Sequence, residues 1–350
     1  MKRCTLLFSF LTWLSAGCLT PTDLDTDIRD NAPTVNGQIS TLPGRTYVQL
    51  GVTSLYNSQP DPESFAHVRI TDDLGTVYLM TETAPGRYTN EMLKAEAGRS
   101  YRLMVDTFDE ETYISAWVAT PPAPGSDSSY YRITQESYTD KDGGVRTGWF
   151  VKAYVDSKLS PESTYVRWEV EEVFKITPTD FPDVFGDVPT PCFISQNADP
   201  QRIVLLNRLG VRVDALDGQL VATRPIDWTF KERHYLTVYQ SSLTADACDY
   251  WQKVAKLAGQ VGSIFDAPPA EIKGNITWSN RPVLRVFGYF QAVSESYSRF
   301  FLVPSDLPFT LPRHCEYDPF LSHSGYIPYE CIEPNCQFLP GSTIIPPPWF

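Results

Sequence analysis

The sequence predicts an all-β protein: an N-terminal Ig-like or transthyretin-like β-sandwich, then a larger β-rich domain that holds one helix and ends in a Pro/Cys-rich strap. Composition is the first ground. Aromatics make up 13 % of the chain, Met occurs 4 times and 29 prolines outnumber 20 glycines, a balance that favours strands and ordered loops over helices. Period-two alternation is the second. Val48, Leu50 and Val52 share one face of YVQLGV, Val68 and Ile70 one face of HVRI, and Tyr101, Leu103 and Val105 one face of YRLMV, as half-buried strands require. Turn chemistry is the third: NSQPDPES, DDLG at Asp72 to Gly75, APG at Ala84 to Gly86 and AEAG ending at Gly98 separate the runs.

The N-terminus comes before this pattern and differs from it. Lys2 and Arg3 precede the apolar run TLLFSFLTWL, and SAG places small side chains before Cys18, the layout of a secretory signal. The run is too short to span a bilayer as a mature helix. A cysteine directly after the small-residue site is what a lipoprotein signal peptidase needs, so residues 1–17 are expected to be removed and Cys18 acylated. An ordinary signal with a chance cysteine is the plainer alternative, and Ser15 stands where the common lipobox has a larger aliphatic residue. Two or more acyl chains anchor stably, whereas one is marginal. Loss of Lys2 and Arg3 leaves 27 Lys+Arg against 42 Asp+Glu, a formal charge of −15. Such a surface repels nucleic acid and anionic headgroups. Residues 18–33, rich in acids and poor in large apolar groups, read as a flexible tether.

Residues 34–120 are the expected sandwich. The stretch TPPAPGSDSS, Thr120 to Ser129, is the clearest boundary, giving a linker at 121–129 and a second domain at 130–350. That domain opens with YYRITQESY, turns at DKDGG and continues through GWFVKAYVDS and TYVRWEVEEVFKI, where Val166, Trp168 and Val170 alternate with charged neighbours. Asp140, Asp142 and Gly143 resemble part of a calcium loop, but the terminal Glu is missing and a hairpin turn accounts for them. LTADACDYWQKVAKLAGQ carries helical spacing at Ala247, Tyr250, Trp251, Val254, Leu257 and Ala258, which predicts a helix over about 244–259 with Thr244 as its cap and Gly259 as its stop. Its aromatic stripe reads as a packing face.

From Pro304 the chain changes again, with eight prolines and three cysteines in its last forty residues. Export favours disulfides, and Cys192, Cys315, Cys331 and Cys336 are the candidates, with Cys248 the odd thiol. Zinc held by Cys315, Cys331 and Cys336 with His314 or His323 is the weaker alternative, because no C-x-x-C spacing is present.

No catalytic residues, metal or cofactor are assigned. The four histidines His67, His234, His314 and His323 support few catalytic constellations, and no H-E-x-x-H, G-x-S-x-G or phosphate-loop pattern occurs. A glycosidase needs two carboxylates about 5 to 9 Å apart in a cleft. Glu169, Glu171 and Glu172 are candidates, but Glu169 and Glu171 alternate with Trp168 and Val170 on the outward face of a strand, where solvated charge is the default meaning. Phe181, Phe185 and Phe193 punctuate a Pro- and acid-rich loop that is either packed or a partner- or ligand-binding surface.

In GSIFDAPPAEIKGNI, Ile264 and Phe265 are expected to anchor in the core, Asp266 to bond turn amides and Gly274 to permit a tight turn. These residues, Asn275 and Ile276, the later Gly288, Tyr289 and Phe290 of VFGYFQAV, the early VNGQIS, PGRY and GRSYRLMV, and the closing cysteines with PPPWF, occur in an order that resembles the Bacteroidota outer-membrane lipoproteins of domain-of-unknown-function family 4249. The resemblance implies an outer-membrane lipoprotein, often beside a TonB-dependent transporter, with no established enzymatic activity. It brings no catalytic residue to this chain. Surface-exported members of that lineage tend to have consecutive acids after the cysteine, whereas Asp23, Asp25 and Asp27 are spaced. The expected function is a non-catalytic accessory to a transporter or another outer-membrane complex. Its rivals are a stand-alone carbohydrate- or peptide-binding lipoprotein and a glycosidase.

Overall fold

The computed structural model describes residues 32–53, 60–140, 142–177, 190–211, 213–258, 272–282, 284–311 and 341–350. In chain order the first strands are β1 (Pro33–Ser40), β2 (Tyr47–Val52), β3 (Asp61–Pro62), β4 (His67–Asp72), β5 (Val77–Leu79), β6 (Thr81–Ala84), β7 (Arg87–Thr89), β8 (Ser100–Asp106), β9 (Thr112–Ser115) and β10 (Val118–Ala119). Longer strands follow: β11 (Gly125–Thr139), β12 (Val145–Leu159), β13 (Tyr165–Ile176), β14 (Cys192–Asn197), β15 (Val204–Asn207), β16 (Ala215–Pro225) and β17 (His234–Leu243). Helix α1 (Ala245–Ala258) comes next, then β18 (Ile276–Trp278), β19 (Phe290–Leu302) and β20 (Ser342–Thr343). The chain is all-β with one helix, as expected. Each alternating run is a strand, and Thr244 caps α1 by accepting from the Ala247 amide at 3.2 Å.

The strands form three sheets. The largest runs β20-β14-β13-β17-β19-β1-β2-β7-β6, with β15 on β13 and β3 on β2; the second runs β18-β9-β8-β4-β5, with β10 on β8; the third is β11-β12-β16. One core lies between the first two sheets, where Val35, Ile39, Val48 and Phe290 meet Ile70, Leu103, Val105 and Ile276. Another lies between the large sheet and the third, around Trp168, Val170, Leu236 and Val238 against Val151, Val155 and Val221. Strand β17 is buried at every position: Leu236 and Val238 face the second core, and on the other face Tyr235 meets Trp349 and Phe350, Tyr239 lies under Arg45 and Leu243 packs with α1.

This arrangement corrects the expected domain plan. The sandwich does not close within 34–120, since Ile276 and Phe290 complete its core and β18 pairs with β9. The tether ends earlier than expected: Ala32 is buried, its amide donates to Thr53 Oγ1 at 2.9 Å, and Pro33 opens β1. The boundary at 121–129 is no free linker either. Strand β11 begins at Gly125, the Thr120 amide donates to Arg99 at 2.8 Å, and the Pro124 carbonyl accepts from Ser160 at 2.9 Å. Its prolines end one ladder and redirect the chain to the next sheet while backbone bonds pin both ends.

The halves are joined by one parallel ladder. Gly37 to Ser40 of β1 pair with Phe290 to Val293 of β19, and a short segment locks them. Asn275 donates its side-chain amide to Phe290 O at 2.7 Å and accepts from Phe290 N at 2.9 Å. Gly274 lies so close that a Cβ there would sit 1.8 Å from Gly288 O. Gly288, at φ +102, passes so near Val35 that its own Cβ would meet Val35 O at 2.2 Å. Only glycine fits either place. Phe290 is then fully buried.

Asn275→Ala should therefore destabilise the full chain by about 2–3 kcal/mol, through two lost bonds to buried backbone groups, and Gly274→Ala should cost more. Urea unfolding monitored by tryptophan fluorescence measures both. An Asn275→Ala midpoint equal to the parent's would show that the clamp contributes nothing.

Candidate functional site

The parity of β13 decides where its charges go. Trp168, Val170, Glu172 and Phe174 share one face, and Arg167, Glu169 and Glu171 share the other. Glu172 is therefore on the core side and is fully buried, as is His234, which opens β17. His234 Nε2 meets Glu172 Oε2 at 2.9 Å. Its ring is sandwiched between Phe230, centroids 3.9 Å apart, and Phe174, at 5.1 Å. Arg224 Nε donates to both Glu172 oxygens at 3.0 and 2.8 Å, and Gln196 Nε2 donates to Oε1 at 2.6 Å. Asp227 pairs with Arg224 at 2.9 Å. Burial by itself would raise the Glu172 carboxyl, but bonds from His234 and the charge of Arg224 outweigh it and hold the group below its ordinary value. Glu172 keeps the parity of Trp168 and Val170 and so belongs to the buried face, unlike Glu169 and Glu171.

Glu169 and Glu171 point the other way, as expected, yet they are not simply solvated. Arg45, from the turn between β1 and β2, reaches Glu169 at 3.5 Å and Glu295 at 3.3 Å and lies 3.8 Å over the Tyr239 ring. Arg167 pairs with Glu169 at 2.9 Å and lies 4.0 Å over Trp251 of α1. Trp251 Nε1 donates to Gln291 at 2.8 Å, Gln291 donates to Gln38 at 3.0 Å, and Gln38 Nε2 approaches Glu295 at 3.4 Å. Ser241 and Ser40 also donate to Glu295. These contacts close a ring from α1 through β19, β1 and β13 and back to α1. Glu171 accepts from Tyr239 at 2.9 Å and from Ser195. Burial would raise Glu169, and Arg167 and Arg45 together hold it low; Glu295 and Glu169 hold Arg45 charged despite its burial.

Beside this ring is a cavity of about 290 Å³. Tyr47 and Trp251 supply aromatic walls, Arg167 and Glu169 line one side, and Asp199 and Arg202 line another. It opens where β13 lacks a paired strand between β15 and β14, a gap bridged by the Ala198 amide donating to Val170 O at 2.8 Å. Burial and the charge of Glu169 push the Tyr47 hydroxyl up, so it stays a neutral donor. No Ser, Thr, Cys, His or Lys lines the cavity among the described residues. Stacking faces with guanidinium, carboxylate and amide edges suit holding a polar ligand.

The other predicted residues separate. Phe193 is buried at the start of β14, edge-to-face with Phe350 at 4.7 Å, so it belongs to packing and not to a recognition loop. Cys248 is a buried free thiol, as expected. Cys192 is buried. Gly274, Asn275, Gly288 and Phe290 form the clamp, and Tyr289 stacks on Tyr250 of α1 at 4.7 Å, giving this motif a structural role. Cys18, Phe181, Phe185, Ile264, Phe265, Asp266, Cys315, Cys331 and Cys336 lie outside the described residues. Sequence reasoning missed the cavity because its walls come from β2, β13, the end of β14 and the segment after it, β16 and α1. Trp251 was the nearest signal, as a member of the aromatic stripe of α1 that reads as a packing face.

Two consequences are measurable. Glu172→Ala should destabilise the chain by about 3–5 kcal/mol, because Arg224 and His234 are left buried without their carboxylate. Glu169 and Glu172 titrate lower in the folded chain than their ordinary 4.5, so the unfolded chain binds more protons in acid. Their stabilisation is complete above pH 4.5 and is lost as pH falls through the folded values. Urea midpoints across pH 3 to 7 should drop on the acid side, and a flat profile would contradict these pairings.

No curated protein and no solved structure matches the chain. The model of the family described as a domain of unknown function, DUF4249, matches residues 20–299, a span that holds the clamp, the polar ring and every wall of the cavity, and the chain belongs to that family.

Proposed function

We propose that the chain is a non-catalytic lipoprotein, anchored to the outer membrane through acylated Cys18. It serves a TonB-dependent transporter or another outer-membrane complex by capturing a ligand or docking on its partner. The observation that carries the capture role is the cavity walled by Tyr47 and Trp251 and edged by Arg167, Glu169, Asp199 and Arg202. Its size is at the low end of small-molecule sites, suited to a sugar unit or a short peptide segment. The state of the carboxylates supports a binding role over hydrolysis: Arg167 and Arg45 hold Glu169 low, and His234 and Arg224 hold Glu172 low, whereas a glycosidase acid needs a raised pKa. The signal-like N-terminus and the small residues before Cys18 support the anchor. The face of the membrane on which the protein stands belongs to the same proposal, with the cell surface ahead of a periplasm-facing anchor.

Intact mass and protease accessibility on native cells test the anchor. A chain starting at acylated Cys18 and shaved by external protease is the expected result; an unmodified soluble chain would defeat it. Co-purification from native membranes should bring a transporter or another outer-membrane protein, and recovery of the lipoprotein alone would count against the docking role. Glycan and peptide arrays test capture: a hit should weaken about tenfold or more in Trp251→Ala. Binding unchanged in that variant would remove the cavity from the mechanism.

A further inference from the structure

Strand β11 has an unpaired edge of unusual length. Its 15 residues pair with β12 without a bulge from Gly125↔Leu159 to Thr139↔Val145, and among the described residues no strand pairs along its other side. Natural sheets blunt such edges with short strands, lysines, prolines or bulges. GSDSSYYRITQESYT has none of these. The phase of the ladder identifies the outward groups. The Asp140 amide donates to Gly144 and the Ser160 amide to Pro124, both at 2.9 Å, so even-numbered residues direct their main-chain groups to β12. Odd-numbered residues from Ser129 to Thr139 direct theirs outward.

The side chains alternate as well. Tyr131 and Ile133 pack on the core. Tyr130, Arg132, Thr134, Glu136 and Tyr138 line the opposite face, where Tyr130 stacks on Tyr154 at 5.5 Å and Arg132 lies 5.2 Å over the same ring. This series is self-complementary. A second antiparallel copy, related by a two-fold axis at Thr134, sets Arg132 opposite Glu136 and Tyr130 opposite Tyr138, each twice by symmetry. An axis at Arg132 or at Glu136 sets like charges opposite each other. An axis at Ile133 or Gln135 leaves both charges without an opposite partner.

We propose that two copies of this chain associate edge to edge through β11 about a two-fold axis at Thr134, making one continuous sheet of their two three-stranded sheets. Ile133 then exchanges main-chain hydrogen bonds with Gln135 of the second copy, Tyr131 with Ser137, and Ser129 with Thr139.

A cysteine scan of the purified full chain tests the register. Residues on the axis face each other at about 4.5 Å between Cα atoms, within disulfide reach, so Thr134→Cys should form a covalent dimer under mild oxidation. Arg132→Cys and Glu136→Cys should not, since each is separated from its own copy by about 13 Å along the strands. Sedimentation velocity across a concentration series supplies a second readout. Arg132→Glu or Glu136→Arg alone should weaken association about tenfold or more, and the double variant should recover it to within about threefold of the parent. A parent chain monomeric throughout with no bond at position 134, cross-linking at 132 or 136 instead, or single swaps that the double variant does not rescue would each overturn the proposal.

Discussion

The structure depends on the parallel pairing of β1 with β19 and on the Asn275 side chain that holds the entry to β19 in place. Without that ladder the large sheet would fall into two parts, and the first core would lose Phe290 and Ala292. The pairing needs close backbone approach at Gly274 and Gly288, so two residues without side chains fix how the halves meet. The polar ring and the cavity follow from it. Gln38 on β1 and Arg45 just beyond it reach β13, β17 and β19 only because β1 lies beside β19.

The same contact explains where the arginines are used. Arg45, Arg167 and Arg224 are each committed to carboxylates largely shielded from water. These internal pairs cancel charge for charge, so the formal −13 of the chain is carried by the groups that remain. A buried ion pair adds little net stability compared with a hydrophobic replacement, but removal of one partner is costly. Such groups fix one arrangement more than they strengthen it. The ring does this at the junction, where a cavity with stable walls requires β13, β19 and α1 to keep their relative positions.

Much of the fold was legible in the sequence, because alternation, turn residues and helix caps are local. β2, β4, β8, β12 and β13 follow from period two, and α1 follows from its spacing and from Thr244. Pairing between distant segments was not legible. Nothing local in VNGQIS marks β1 as a parallel neighbour of FQAV, and the Pro-rich run after Thr120 has the composition of a linker whether or not its ends are pinned. The family resemblance picked out Gly274, Asn275, Gly288 and Phe290 without showing what they do. Their role is visible only when both strands are in place. The cavity was least legible, since its polar walls look individually like surface residues.

The clamp also sets an order of events. Gly37 and Phe290 are about 250 positions apart, and synthesis at about 5–20 residues per second separates their emergence by roughly ten to fifty seconds. Throughout that interval β1 has β2 on one side and an open ladder on the other. Non-local parallel pairings form slowly because loop closure comes before any contact rewards it. The nascent chain is thus an incomplete sheet with an adhesive margin until only about its last sixth remains to be made, and the cell must shield that margin or hold the chain unfolded meanwhile.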